Sequence, residues 1–334
     1  MRASVGARLV GCLLLAGACT SSTDPPACAS VAEASEAVTV TAPRGSLGGT
    51  LAVPAGCTGM PVVLIFSGSG PEDRDGNPPG GSYQTDMYKL LAIGLHDAGF
   101  ATLRYDDVGV GASASALPAD VSMFTYDMEV EAAATWIPTL RHDPRFGALV
   151  LAGHSQGALT AILLAERGGV DAVVSMEGEG RPLDVLLREQ LSATLSPAQL
   201  MTAERVLAEL KAGELAGPQQ PPLDQIFAEV VQRFLISLFQ YDPAAELAKV
   251  HVPALIVQGR TDVQVSVEDA QRLAMAKPDA ELVLIDDLCH TLKPAAEKDL
   301  ATQTAQYSDP SIPVHPALIA DIAAFLRTLP RPGG

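Results

Sequence analysis

The stretch "LVLAGHSQGAL" over residues 149–159 sets Ser155 between Gly153 and Gly157, after a short apolar run and before the helical pattern "ALTAILLAER". Gly-x-Ser-x-Gly at a strand-to-helix junction displays a serine on a strained turn, because the flanking glycines let the backbone pack without colliding side chains. Taken alone, the five residues are a weak signal and read more readily as a loop of small side chains; the strand before and the helix after favour a nucleophile. A serine hydroxyl attacks poorly at neutral pH, so it needs a base, and the base needs an orienting acid. Among the six histidines, His290 is the best-placed base, since it follows the last expected strand and the turn "DDLC". His96 lies in a helical pattern and His142 in a loop, and both are expected to face solvent. His154 adjoins the serine, but the strained turn points it away, and His315, which opens the final helix, is a minor rival. Asp262 in "VQGRTDVQV" follows the preceding strand and is the expected acid, while Asp286 and Asp287 read as turn and helix-start residues.

Acyl transfer also needs donors for a developing oxyanion, usually backbone N–H groups. Gln156, the residue after the serine, offers one. The loop "FSGSGPEDRDG", where Gly68 and Gly70 allow close backbone approach, offers the other, with Ser69 as the nominee; the competing reading is a plain Gly/Pro turn. "DRDGN" faintly resembles a calcium loop, but its glycine comes too early and no glutamate closes it, so no metal site is expected.

The elements that must position these groups alternate between short β-branched runs and longer helical patterns, the rhythm of an α/β sheet. Residues 38–42 and 48–54 read as an opening hairpin. Strands are expected over 61–67, 100–106, 148–153, 170–177, 253–259 and 280–286, with helices over 83–98, 126–141, 156–167, 266–276 and 315–328. About 75 residues separate the strand ending near Glu177 from the one at Pro253, far more than a simple crossover needs. Helical patterns at 183–194, 197–212 and 223–240 make this an inserted helical cap, with 216–223 a flexible break; a separate small domain is the alternative.

With 48% hydrophobic and 18% charged residues, the 334-residue chain can bury a substantial core. Its net charge of −17 opposes nucleic acid and anionic membrane surfaces as partners. Arg2 and Arg8 precede an uncharged stretch over 9–18, too short to span a bilayer but suited to a signal-peptide core. "LLLAGAC", ending at Cys19, resembles the bacterial lipoprotein box, which implies lipidation of Cys19. Ordinary cleavage after Ala18 and an uncleaved anchor are the alternatives, and all three place the protein outside the cytoplasm. Residues 1–18 are thus read as a signal peptide and 19–37 as a polar tether. Of five cysteines, Cys28, Cys57 and Cys289 remain beyond Cys12 and Cys19; a Cys28–Cys57 disulfide and free thiols are both open.

From about residue 38 onward the chain resembles the α/β-hydrolase superfamily, in particular its serine-aminopeptidase-like and dienelactone-hydrolase-like esterases. The motifs that carry the likeness are "GSGPEDRDG" (68–76), "RYDDVGVGAS" (104–113), "GHSQG" (153–157), "EGEGRPLDVLLREQ" (177–190), "GRTDVQV" (259–265) and "CHTLKPA" (289–295). The resemblance implies an α/β-hydrolase fold: a mostly parallel eight-stranded sheet with helices on both faces, a core of 38–177 and 246–330, and a cap of 178–245. It implies Ser155 as nucleophile, Asp262 as acid, His290 as base and Ser69 with Gln156 as oxyanion donors, and the chain order serine, acid, histidine is that of such enzymes. Asp106 and Asp107 read as structural. Glu177 and Glu179 depart from the pattern and are expected on a solvated rim, or as groups that favour a cationic substrate. The implied protein is an exported serine hydrolase of small carboxylic esters with short acyl chains, working without a cofactor. A peptidase with the same triad and a non-catalytic ligand-binding lipoprotein are the alternatives.

Overall fold

The computed structural model describes residues 34–56, 58–81, 83–304 and 309–330. The expected signal peptide, the lipidation site Cys19 and the Cys28–Cys57 pair lie outside the described residues. Eight strands form one sheet: β1 (Ala34–Thr41), β2 (Ser46–Val53), β3 (Met60–Phe66), β4 (Ala101–Tyr105), β5 (Phe146–His154), β6 (Ala172–Met176), β7 (Ala254–Gly259) and β8 (Glu281–Ile285). Their spatial order is β1-β2-β4-β3-β5-β6-β7-β8. β2 pairs antiparallel with β1 and β4, and every other pairing is parallel. The first strand begins at Ala34, so residues 34–37 of the expected tether belong to it.

The central strands are apolar throughout because both their faces are covered. Alternate side chains divide between two cores. Val62, Leu64 and Leu151 pack with α2 (Tyr126–Ala134), α3 (Trp136–Arg141), α4 (Gln156–Glu166), α8 (Pro243–Leu247) and α9 (Val267–Ala276). Val63, Ile65 and Val150 pack with α1 (Met87–Asp97) and α11 (Pro316–Thr328) on the opposite face. A short α10 (Leu300–Thr304) precedes α11.

Between β6 and β7 lie α5 (Leu183–Thr194), α6 (Pro197–Lys211) and α7 (Glu229–Leu238), which share a third core built on Leu191, Val206, Leu210, Phe227 and Phe239. Residues 216–223, expected as a flexible break, are tied down instead. The buried Gln232 accepts from the Ala216 N–H and donates to the Gly217 carbonyl, which satisfies backbone groups that a loop leaves open. Strand order reverses between β3 and β5, and the carboxyl ends flanking such a switch point form the crevice where open α/β sheets bind ligands.

Candidate active site

Ser155 links β5 to α4 with φ 52° and ψ −126°, a conformation that costs about 1–3 kcal/mol for a residue with a side chain. Tight packing enforces it. A Cβ on Gly153 would lie 2.0 Å from the Gly157 carbonyl oxygen, and one on Gly157 would lie 2.2 Å from that of Ser67. The turn is pinned by the Ser155 N–H donating to Met176 O at 3.0 Å and the Ala158 N–H donating to Ser155 O at 2.9 Å. Ser155 Oγ forms no hydrogen bond among the described residues.

Asp262 and His290 meet beside this turn, from the loops after β7 and β8. His290 Nδ1 lies 2.8 Å from Asp262 Oδ2, and the His290 ring sits 4.8 Å from that of His154, the serine's neighbour. Asp262 Oδ1 accepts from the Gln264 and Val265 N–H groups at 2.6 and 3.1 Å. Burial pushes the Asp262 carboxyl up, but the His290 charge and hydrogen bond, with these N–H donors, hold it well below the usual carboxylate range. Burial likewise pulls His290 down, and Asp262 more than reverses it, so its pKa stands above the ordinary 6.5. Because Asp262 is the ionised acceptor, the neutral imidazole carries its proton on Nδ1 and keeps the Nε2 lone pair.

A buried chain of side chains ties the nucleophile turn to both neighbouring loops. His154 Nε2 lies 2.7 Å from the His290 carbonyl oxygen, which can only accept, so Nε2 bears the proton. Nδ1 is then the acceptor for Tyr88 Oη at 2.9 Å, and Tyr88 Oη accepts the Gly68 N–H at 2.7 Å. Burial, and next the charge on His290, lowers the His154 pKa to about 3, so its ring is neutral at working pH. The Ser69 and Gln156 N–H groups, by contrast, form no hydrogen bond among the described residues. Glu72, whose Oε2 lies 3.2 Å from Tyr88 Oη, is pushed up to about 7 by burial. Sequence reasoning missed Tyr88, whose only signal was a tyrosine near the start of a helix that packs beneath the expected loop.

Several expectations need correction. Glu177 and Glu179 are not on a rim, with exposures of 0% and 7%. Glu177 has φ 50° at the end of β6, and its side chain packs against the end of β7. There its Oε1 accepts the Gly259 N–H at 2.9 Å and its Oε2 accepts from Gln258 Nε2 at 2.5 Å. Glu179 is pushed up to about 7 by burial, and its Oε2 is buried with no hydrogen-bond partner among the described residues. His96 is buried rather than solvent-facing. Both ring nitrogens of His315 are engaged elsewhere: Nδ1 caps α11 by accepting the Ala317 N–H, and Nε2 pairs with Asp287. Asp106 grips Arg74 through Nε at 2.8 Å and Nη2 at 2.6 Å, whereas Asp107 accepts from Ser67 Oγ and the Glu72 N–H.

Among the described residues, Glu177, Asp262 and His290 are close enough to share a cation, with one atom of each within 4.8 Å of the others. Each carboxylate already accepts N–H hydrogen bonds, Glu177 from Gly259 and Gln258 and Asp262 from Gln264, Val265 and the His290 imidazole.

This fold, with a serine on a strained strand-to-helix turn and a buried Asp–His pair beside that turn, is of the α/β-hydrolase type. The sequence pattern of the alpha/beta hydrolase family matches residues 62–295, and the chain belongs to that family. It is 26% identical over 250 residues to esterase EstD of Thermotoga maritima; the match covers 74% of this chain, which spans 58% of the length of EstD. Similar folds include Est1E from Butyrivibrio proteoclasticus, with a TM-score of 0.54 at 15% identity over 87% of this chain and 99% of that one. Another is the Pyrococcus furiosus esterase Pf2001, with a TM-score of 0.54 at 16% identity over 88% and 90%.

Proposed function

We propose that the protein is a carboxylic ester hydrolase, acting on short acyl chains through an acyl-enzyme on Ser155. Ser155 Oγ attacks the ester carbonyl carbon while its proton passes to His290 Nε2. The tetrahedral oxyanion takes hydrogen bonds from the Ser69 and Gln156 N–H groups. Collapse breaks the bond to the leaving alkoxide, which receives the proton from His290. Water then attacks the acyl carbon while His290 takes its proton, and the bond from the acyl carbon to Ser155 Oγ breaks as His290 returns that proton to Oγ and the acid leaves. Asp262 stays ionised throughout and stabilises the imidazolium. The observation that carries this reading is the buried, ionised Asp262 bonded to His290, whose ring lies 4.8 Å from that of His154, the residue before the strained Ser155. The kinship with EstD supports an ester as substrate.

Turnover of a p-nitrophenyl ester series by the parent and by Ser155→Ala tests it. A loss of at least ~10³-fold in kcat is expected for the variant, and equal rates would refute the nucleophile assignment. One observation favours a second reading, an aminopeptidase: the Glu179 carboxyl, whose buried Oε2 has no hydrogen-bond partner among the described residues and which lies in electrostatic reach of His290, suits a free amino group. Faster cleavage of aminoacyl nitroanilides than of esters would select it. Residues 1–19 support placing the enzyme at the cell envelope, and accumulation of unprocessed protein in the presence of globomycin is the result expected if Cys19 is lipidated.

A further inference from the structure

Two carboxyls share one buried pocket behind His290. The side chains of Glu177 and Asp262 both receive Gln258 Nε2, at 2.5 Å and 3.3 Å, and each has an oxygen within 4.8 Å of the other. Glu177 is 0% and Asp262 1% exposed. Two adjacent carboxylates in such a place cannot both be ionised. The donors decide which one keeps its charge. Asp262 has two backbone N–H groups and the His290 Nδ1–H besides Gln258, whereas Glu177 has one backbone N–H and a share of Gln258. Gln258 Nε2, with only two hydrogens, also faces the carbonyl oxygens of Gly259 and Val265. The pocket therefore holds more acceptors than donors, and one added proton on a carboxyl relieves the deficit.

We propose that Glu177 is a positioning residue of this site: a neutral carboxylic acid whose O–H donates to Asp262, holding Asp262 against His290 and moderating the charge that the imidazole feels. The inference rests on the proposed roles of Ser155, Asp262 and His290. It replaces the solvated-rim role expected of Glu177 with one behind the acid that orients His290. The titratable groups facing Glu177 are Asp262 from the loop after β7, and Cys289 and His290 from the loop after β8; its other contacts, Gln258 and Gly259, are neutral. Burial first, and then the Asp262 charge, push the Glu177 carboxyl upward, in keeping with a retained proton.

The test compares Glu177→Gln and Glu177→Leu with the parent in kcat/KM against pH on a p-nitrophenyl ester. It adds an infrared difference spectrum of parent minus Glu177→Gln. Glutamine is neutral and can donate, so Glu177→Gln should keep the acid-limb midpoint and most of kcat. Leucine cannot donate, so Glu177→Leu should lower kcat about tenfold at unchanged KM, the scale seen when an outer partner of a functional group is removed. Its acid limb should also move to higher pH, because an unmoderated Asp262 holds the imidazolium more strongly. The infrared difference should show a protonated-carboxyl carbonyl band present in the parent alone.

A shift of the Glu177→Gln acid limb to lower pH would mean that an anion had been removed and would overturn the proposal. So would an unchanged profile and kcat in Glu177→Leu, or no carbonyl band in the difference. Should Glu177→Leu fail to fold, the glutamine variant and the spectrum decide. The spectrum needs no turnover, so it judges the protonation of Glu177 even if Ser155→Ala stays active and the triad reading itself falls.

Discussion

The two sides of the cleft are built on opposite principles. On the acid side, Asp262 is 1% exposed, with N–H donors on both of its oxygens, and His290 is locked to it. On the nucleophile side, Ser155 is held at φ 52°, and neither its Oγ nor the Ser69 and Gln156 N–H groups form a hydrogen bond among the described residues. One side uses its hydrogen bonds to fix a charge. The other keeps strain and unused donors ready for a charge that exists only during reaction. That division is what electrostatic preorganisation requires, since groups already satisfied by the protein could not respond to a developing oxyanion.

Breaking the acid side should have the largest effect. Asp262→Asn removes the charge and favours the wrong imidazole tautomer, and a fall of ~10⁴-fold in kcat is expected from the effect of that change in other triads. The sign of the pH response follows from the pKa directions. Because Asp262 raises His290, and His290 must be neutral to act, kcat/KM in the parent should rise with pH above 6.5. In Asp262→Asn the residual activity should keep its acid limb at lower pH. The same pair contributes to stability between the unfolded pKa values of the two groups. That contribution is lost as pH falls through the depressed Asp262 pKa or rises past the raised His290 pKa, which a series of denaturation midpoints against pH would show.

Breaking the nucleophile side should act first on folding. Gly157→Ala puts a methyl group 2.2 Å from Ser67 O and 2.6 Å from Phe66 O, backbone atoms that cannot move aside cheaply. A loss of about 3 kcal/mol or more is expected, measured by chemical denaturation, with activity lost even in the folded fraction. The bridge between the two sides gives the smallest effect. Tyr88→Phe frees the Gly68 N–H and deprives His154 Nδ1 of its donor, which should cost about 1–3 kcal/mol of stability. It should also lower kcat more than it raises KM, as steady-state kinetics would show.

Much of this arrangement was legible in the sequence because it depends on local grammar. Apolar runs gave all eight strands, and the glycines around Ser155 reported a backbone crowding that the structure confirms atom by atom. The positions of Asp262 and His290 followed from their places after the last two strands. Glu177, Glu179 and His96 were misread for one physical reason: charged and polar side chains are normally solvated, and only the tertiary packing shows them buried. For Glu177 the decisive feature is the positive φ that ends β6, and no glycine or asparagine advertises it. Tyr88 was invisible because its partners, Gly68 and His154, lie 20 and 66 residues away.

Acylation of Ser155 can be observed directly. The parent enzyme is mixed with p-nitrophenyl acetate, quenched in acid during turnover, and its proteolytic peptides are mapped by mass spectrometry. An acetyl group is expected on Ser155, absent from Ser155→Ala. Turnover with the acetyl group on another residue and none on Ser155 would contradict it.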